Sequence, residues 1–336
     1  MKYATAKKSL EAVYPFLTKN FTLNFYGGEP LLAFPLIERT VTLLETKNRL
    51  SGKKGTYSIT TNAGLLNDEI CKFFSRHRFS VEVSFDGLVQ NMQKEKKSTP
   101  LILANIRKLL CHSGIKTEVN SVFTNQTVGY LSESMKYLIA QDIPHIRFSL
   151  DAVPRWNRKA LRDLEIELAK LGRIVTSHHR EHKSIPVGNY KEYEQKGIFH
   201  CNAGRDRLAV SPGGDIWGCF LFYDFFRKKP AALGHAKYFF GNIADFMKNP
   251  EGIHAKISPN YAPLSMNNFS TRQKDCLFCP YLAYCRICPI AAALSGEEIG
   301  RVPLHLCRIK KTLIETAFLP SHADIKSIRG RRIAQG

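Results

Sequence analysis

Between residue 3 and about residue 150, short runs of β-branched and aromatic residues alternate regularly with helical stretches. Helical periodicity over 3–17 gives way to FTLNFY, a helix at 35–50, TYSITTN, a helix at 67–76, SVEVSFD, a helix at 98–112, KTEVNSVF, a helix at 130–140 and HIRFSLD. Five strand-length runs separated by helices indicate repeated βα units around a parallel sheet, so the fold class is α/β. The carboxyl ends of these runs carry Gly27, Gly28 and Glu29; Thr61 and Asn62; Ser84 and Asp86; Asn120 and Ser121; Ser149 and Asp151. Ligands of parallel α/β folds bind beyond those ends. Helix capping would explain any one of these residues; the set of five outlines one site. In NFYGGEPLLAF, paired glycines let something approach the backbone closely, and Pro30 stops the strand ladder.

At 336 residues the chain can form one large domain with a satellite or two ordinary domains. Its 44% hydrophobic and 23% charged residues are those of a folded globular protein. No apolar run approaches the roughly 20 residues of a bilayer span. FLFYDFFRKK (220–229) is broken by Asp224 and reads as core or pocket lining, so no membrane partner is expected. The N-terminal MKYATAKKSLEAVYPFL lacks the apolar core and cleavage site of a signal peptide, which predicts a cytoplasmic location. The net charge of +20 calls for an acidic partner or is a solvated basic surface. Lys and Arg are dispersed, with local clusters at KEKK (94–97) and RGRR (329–332), and no nucleic-acid motif accompanies them. A nucleic-acid partner is therefore disfavoured against a basic surface or one that selects an acidic substrate.

An amphipathic helix over about 156–182 leads away from the first half, and a boundary falls near 185–199. Seven of the nine cysteines follow it: Cys201, Cys219, Cys276, Cys279, Cys285, Cys288 and Cys307. CLFCPYLAYCRIC is a CxxC pair, five residues, then a second CxxC pair. Disulfides are an unlikely use of such a cluster without a secretion signal, and the spacing is too tight for a zinc ribbon, whose pairs stand about 15–20 residues apart. Iron–sulfur clusters tolerate close spacing and often have proline after a ligand; here Pro280 follows Cys279 and Pro289 follows Cys288. Zinc and structural thiols are the remaining alternatives. Cys71 and Cys111 fall at apolar helix positions and read as buried thiols. Around SPGGD, RLAV and IWGC form a hairpin that would bring Cys201 and Cys219 together.

With both halves considered, the chain resembles the radical S-adenosylmethionine (radical SAM) enzymes carrying a C-terminal SPASM domain, the group of anaerobic sulfatase and peptide maturases. The resemblance rests on Cys201, twelve residues, Gly214, four residues, Cys219, then CxxCxxxxxC, a further cysteine and Cys307, together with FYGGEP, TTNAG and VSFDG at the strand ends. It departs from the family between Cys285 and Cys288, where two residues stand in place of the usual three. It implies a partial (β/α)6 barrel missing its first strand over 1–155, a connecting helix and linker over 156–198, a small cysteine-rich SPASM domain with a β-hairpin and helices over 199–310, and a C-terminal helix and basic tail over 311–336. It further implies two auxiliary 4Fe-4S clusters, the first on Cys201, Cys219 and Cys288, the second on Cys276, Cys279, Cys285 and Cys307. Gly27, Gly28, Glu29 and Pro30 would receive the methionyl end of S-adenosylmethionine, and Asn62, Ser84 and Asp86 would approach cofactor or substrate.

The family's catalytic CxxxCxxC is absent, and no cysteine precedes Cys71. The chain as given is therefore expected not to make the 5′-deoxyadenosyl radical. FTLNFY would be left as an uncovered apolar edge, which favours truncation by a misplaced start or a split gene over a degenerate binding relative. The family activity implied is radical-based oxidative modification of a peptide or protein side chain, with an acidic peptide as one candidate substrate and a ferredoxin or flavodoxin as electron donor. A non-catalytic iron–sulfur protein that binds peptide or passes electrons is the alternative, and a zinc adaptor a third. No catalytic residue is nominated.

Overall fold

The computed structural model describes residues 1–90, 99–192, 196–228, 234–295 and 298–317. KEKK and RGRR lie outside them, as does the chain beyond residue 317. The five expected strands are β1 (Asn20–Phe25), β2 (Lys54–Thr61), β3 (Ser80–Ser84), β4 (Lys116–Phe123) and β5 (Ile146–Leu150). They pair in parallel in the order in which they occur in the chain. Among the described residues β1 pairs with β2 alone and forms one edge. After an initial helix, α1 (Tyr3–Val13), the crossovers are α2 (Phe34–Ser51), α3 (Asp68–Arg76), α4 (Thr99–Leu110) and α5 (Leu131–Ile139). The first helix stops at Val13, short of the expected residue 17, because Pro15 cannot extend the ladder and the chain tightens into a 3-10 turn at Tyr14–Phe16. At the start of α3, Asn67 Oδ1 accepts from the Ile70 N–H at 2.9 Å, filling one of the orphan donors of the first turn.

The two faces of the sheet differ. One buries Tyr57 and Ile59 on β2, Val81 and Val83 on β3, and Val119 and Phe123 on β4. The other carries Ser58 and Thr60, Glu82 and Ser84, Glu118 and Asn120, and Arg147 and Ser149, all partly exposed. A parallel sheet is usually apolar on both faces; a polar face marks the side left open for chemistry.

The long helix α6 (Arg158–His182) is capped by Asn157, whose Oδ1 accepts from the Ala160 N–H at 2.8 Å. The expected hairpin forms from β6 (Ala209–Val210) and β7 (Asp215–Trp217), joined by a turn in which Gly214 takes a φ of 94°. A third antiparallel strand unforeseen from the sequence, β8 (Phe239–Asn242), pairs with β7. FLFYDFFRKK supplies helix α7 (Phe220–Lys228), with Phe222, Phe225 and Phe226 buried. Helices α8 (Pro250–Ile257), α9 (Pro289–Leu294) and α10 (Leu304–Ala317) follow, and α10 packs along α6. No helix among the described residues is long and apolar enough to cross a membrane.

Two apolar cores result. The larger joins the sheet and its helices to Met266, Phe269, Tyr281, Val302, Leu306 and Ile309 of the C-terminal region. The smaller gathers Ile216, Trp217, Phe222, Phe226, Phe240 and Tyr261 around the hairpin, and takes in Ala12 of α1.

Candidate cofactor and cluster site

At the end of β1, Gly27 and Gly28 have φ of 104° and 46°, a region that side chains rarely adopt. A Cβ at either would meet nothing within 4 Å, so backbone conformation requires the glycines and the space beside them is open. Glu29 then turns back across β2. Its Oε1 accepts from the Leu31 N–H at 3.0 Å and the Thr61 hydroxyl at 2.7 Å, and its Oε2 from the Asn62 N–H at 2.8 Å. The Asn62 side chain is exposed and its Oδ1 accepts from the Gly64 N–H at 2.8 Å. Pro30 opens the 3-10 turn Pro30–Ala33. Ser84 lies on the polar face, paired in register with Asn120, and the Ser149 hydroxyl donates to Asn120 Oδ1 at 3.0 Å. Asp86 differs from these. It is 2% exposed and its Oδ1 accepts from the Val122 N–H at 2.9 Å, which ties the end of β3 to β4.

The seven C-terminal cysteines separate into two groups. Cys201, Cys219 and Cys288 border the hairpin core, and Cys276, Cys279, Cys285 and Cys307 belong to or border the sheet core. Local geometry explains each grouping. A Cβ on Gly218 would stand 2.4 Å from the Gly204 nitrogen and 2.5 Å from the Tyr261 ring. Only two glycines allow the Cys201 and Cys219 loops to close over that ring, and the Gly218 N–H donates to Tyr261 Oη at 3.0 Å. Cys288 caps α9, its Sγ accepting from the Ala291 N–H at 3.5 Å. In the second group, the 3-10 turns Cys276–Phe278 and Leu282–Tyr284 curl the chain so that Cys276, Cys279 and Cys285 converge with Cys307, in the first turn of α10, on one small cavity.

All these cysteines are free thiols. Burial pushes Cys276 up to about 11 and Cys285 up to about 12, with neighbouring thiols of the same group adding to the effect. Burial also raises Cys201, Cys288 and Cys307. Without a cation these five raised thiols stay protonated at neutral pH, whereas a metal centre would hold them as thiolates. Among the described residues no three His, Cys, Asp or Glu side chains gather as a ligand set for a metal ion. The four thiols surround a space instead, an arrangement that fits a cluster bringing its own sulfides. Cys71 is buried as expected, but Cys111 is exposed because α4 ends at Leu110 and leaves it on the following turn.

Several residues at the site went unremarked in the sequence. The Tyr26 ring lies 4.1 Å from that of Phe220, beside Cys219, and so joins the end of β1 to the hairpin unit. Burial raises the Tyr26 phenol, and Glu82, Asp224 and Cys219 raise it further. On the polar face Glu82 and Glu118 are register partners, and Arg147 Nε is 3.6 Å from Glu118 Oε1. Burial pushes Glu118 up against the pull of Arg147. A second, larger cavity is lined by Arg147, Ser149, Asn189, Arg286, Cys288 and Lys310. The period-2 position of Glu82, Glu118 and Arg147 was the available signal; nothing local marked Lys310.

No family model matches the chain. An uncharacterized protein of Methanocaldococcus jannaschii is 30% identical over 227 residues, covering 65% of this chain and 75% of that protein. The radical SAM cyclopropyl synthase TigE of Paramaledivibacter caminithermalis is 24% identical over 321 residues, covering 92% of this chain; the chain spans only 62% of TigE. The cysteine-type anaerobic sulfatase-maturating enzyme of Clostridium novyi is 28% identical over 287 residues, covering 78% of this chain and 72% of that enzyme. Among solved structures, native anSMEcpe with bound AdoMet matches at a TM-score of 0.72 and 16% identity, covering 100% of this chain and 91% of that one. The same protein with AdoMet and the Kp18Cys peptide matches at a TM-score of 0.73 and 17% identity, covering 99% of this chain and 91% of that one. The solved structures share the fold of this chain, and the two named sequence relatives match it over 92% and 78% of its length. In sequence and in fold the chain therefore resembles the radical SAM enzymes that carry a SPASM domain, in their maturase-like group.

Proposed function

We propose that these residues form the cofactor-binding sheet and the auxiliary iron–sulfur domain of a radical SAM maturase acting on a peptide or protein side chain. The observation that carries this reading is the division of seven cysteines between two cores, three in one and four in the other. On it, Cys201, Cys219 and Cys288 hold one auxiliary 4Fe-4S cluster, and Cys276, Cys279, Cys285 and Cys307 hold a second. Residues 1–155 are a partial (β/α)6 barrel without its first strand, 156–198 the connecting helix and linker, 199–310 the SPASM domain, and 311–336 a C-terminal helix and basic tail.

Gly27 and Gly28 offer backbone to the methionyl end of S-adenosylmethionine. Glu29, with one acceptor position left on Oε2 after its three bonds, receives the amino group. Asn62 and Ser84 face the same side. Asp86, whose Oδ1 accepts from the Val122 N–H, ties the third strand end to β4 beside them. Reductive cleavage of S-adenosylmethionine supplies hydrogen-atom abstraction; this chain's own residues bind, orient and shield. The anSMEcpe structures with AdoMet and peptide support a peptide substrate here, and the charge of +20 supports an acidic one. A ferredoxin or flavodoxin would donate electrons. Seven free thiols suit the cytoplasm.

Anaerobic reconstitution tests the reading. The full chain is expected to hold about eight iron and eight sulfide, and Cys288→Ser and Cys276→Ser are each expected to lose about half. Zinc without sulfide would make it a zinc adaptor. The absence of CxxxCxxC from these residues favours one second reading, an iron–sulfur protein that binds peptide or passes electrons. Measuring 5′-deoxyadenosine with reductant separates the two: sustained formation by these 336 residues would remove the second.

A further inference from the structure

The two cysteine groups share a neighbour. One cavity holds Cys276, Cys279, Cys285 and Cys307, and the other holds Cys288 with Arg147 and Arg286. Only Ile287 and Lys310 line both. Ile287 is apolar and buried, which leaves Lys310 as the single charge on the partition.

The other cations around it are engaged. Arg147 pairs with Glu118 at 3.6 Å, and Arg286 Nη1 donates to the Gly197 carbonyl at 2.7 Å. Among the described residues the Lys310 ammonium has no hydrogen-bond or ion-pair partner. Its electrostatic neighbours include one cysteine of each group, Cys285 and Cys288. A largely buried ammonium with no carboxylate is costly unless negative charge is supplied, and thiolate-ligated clusters supply it on both sides.

We propose that Lys310 is the shared counter-charge of both cysteine groups, a positioning residue that favours the electron-rich state of an iron–sulfur cluster held at either one. This rests on the reading of two auxiliary clusters. A fixed positive charge lowers the free energy of an added electron nearby, and weak screening away from bulk water preserves the effect.

The test uses the full chain, reconstituted anaerobically, with iron and sulfide counted first and each cluster's reduction by dithionite then followed by EPR at poised potentials. Cys288→Ser and Cys276→Ser assign the two signals. Lys310→Met is expected to shift both reduction equilibria toward the oxidised form by at least about tenfold, 59 mV for a one-electron couple. Lys310→Arg should stay within about threefold of the parent. Lys311→Met should move only the four-cysteine signal, because Lys311 lines that cavity alone.

A parent chain without two clusters refutes the proposed function and this inference with it. Two intact clusters, of which Lys310→Met moves one or neither, refute the role of Lys310 alone. If Lys310→Met fails to load, iron content decides: loss of both clusters with retention in Lys310→Arg supports the shared charge, whereas loss of one, or loss in both variants, overturns it.

Discussion

The sheet half and the cysteine half reach order by different means. Around the sheet, strands and helices of ordinary length bury an apolar face in Phe74, Phe79, Val83 and Phe123, all fully enclosed. Around the cysteines the regular elements are short: a two-residue and a three-residue strand, successive 3-10 turns, and glycines forced into contact. Burial supplies the first half with stability at about 25 cal/mol per Å² of apolar surface. The second half has an apolar core of its own around the hairpin, but it also encloses thiols raised by burial, and the clusters proposed for them would add to its stability.

Removing metal is the most direct way to break this contrast. Chelation of the reconstituted protein is expected to raise hydrogen exchange across 199–225 and 270–307 by orders of magnitude, while β2 to β4 keep their protection, because ligand binding is folding free energy for a small metal-held unit. Equal loss of protection in both halves would show that one core carries the other.

Next in size, Phe74→Ala removes a fully buried ring from the sheet core and is expected to cost about 3–5 kcal/mol by urea unfolding, with cluster content per folded chain unchanged. Gly218→Ala tests the other half: its Cβ would collide with the Gly204 backbone and Tyr261. A cost of about 1–3 kcal/mol is expected, with iron lost from the three-cysteine group and retained by the four-cysteine group.

The smallest effect sharpens the sheet side. On α6, Glu167 is 3% exposed and accepts from the Ser132 N–H at 2.9 Å, from the Ser132 hydroxyl, and from Lys170 at 2.7 Å. Burial raises this carboxyl, but those bonds outweigh it and hold it below the usual value. The stabilisation is therefore complete above about pH 4.5, the ordinary glutamate range, and fades as pH falls through the lowered folded value. Glu167→Gln should lower the unfolding free energy from urea at pH 7 by about 0.5–1.5 kcal/mol, and the gap to the parent should narrow below about pH 4. A gap independent of pH would assign the effect to packing.

Much of this was readable in the chain itself. β-branched runs between helices predicted the five parallel strands, and SPGGD predicted the hairpin, because period-2 and turn signals act between near neighbours. The limits of that reading are equally local. The first helix ended early at Pro15, Cys111 proved exposed one residue past its helix, and β8 was too short and too flanked by aromatics to stand out. Asp86 carried the same strand-end signal as Ser84, yet its carboxylate turned inward to the Val122 N–H; alternation places a residue on a strand but does not choose its hydrogen-bond partner.

By itself the sequence determined the alternation of the sheet half, the positive-φ glycines that end β1, and the presence of seven thiols at close spacing. Only the tertiary structure decided which thiols share a core, that the Tyr26 ring would meet that of Phe220 from far along the chain, and that Lys310 would stand between the two cavities. The physical reason is range. Backbone preferences and hydrophobic period are set within a few residues, whereas electrostatic and packing neighbours separated by more than a hundred residues meet only when both cores have closed.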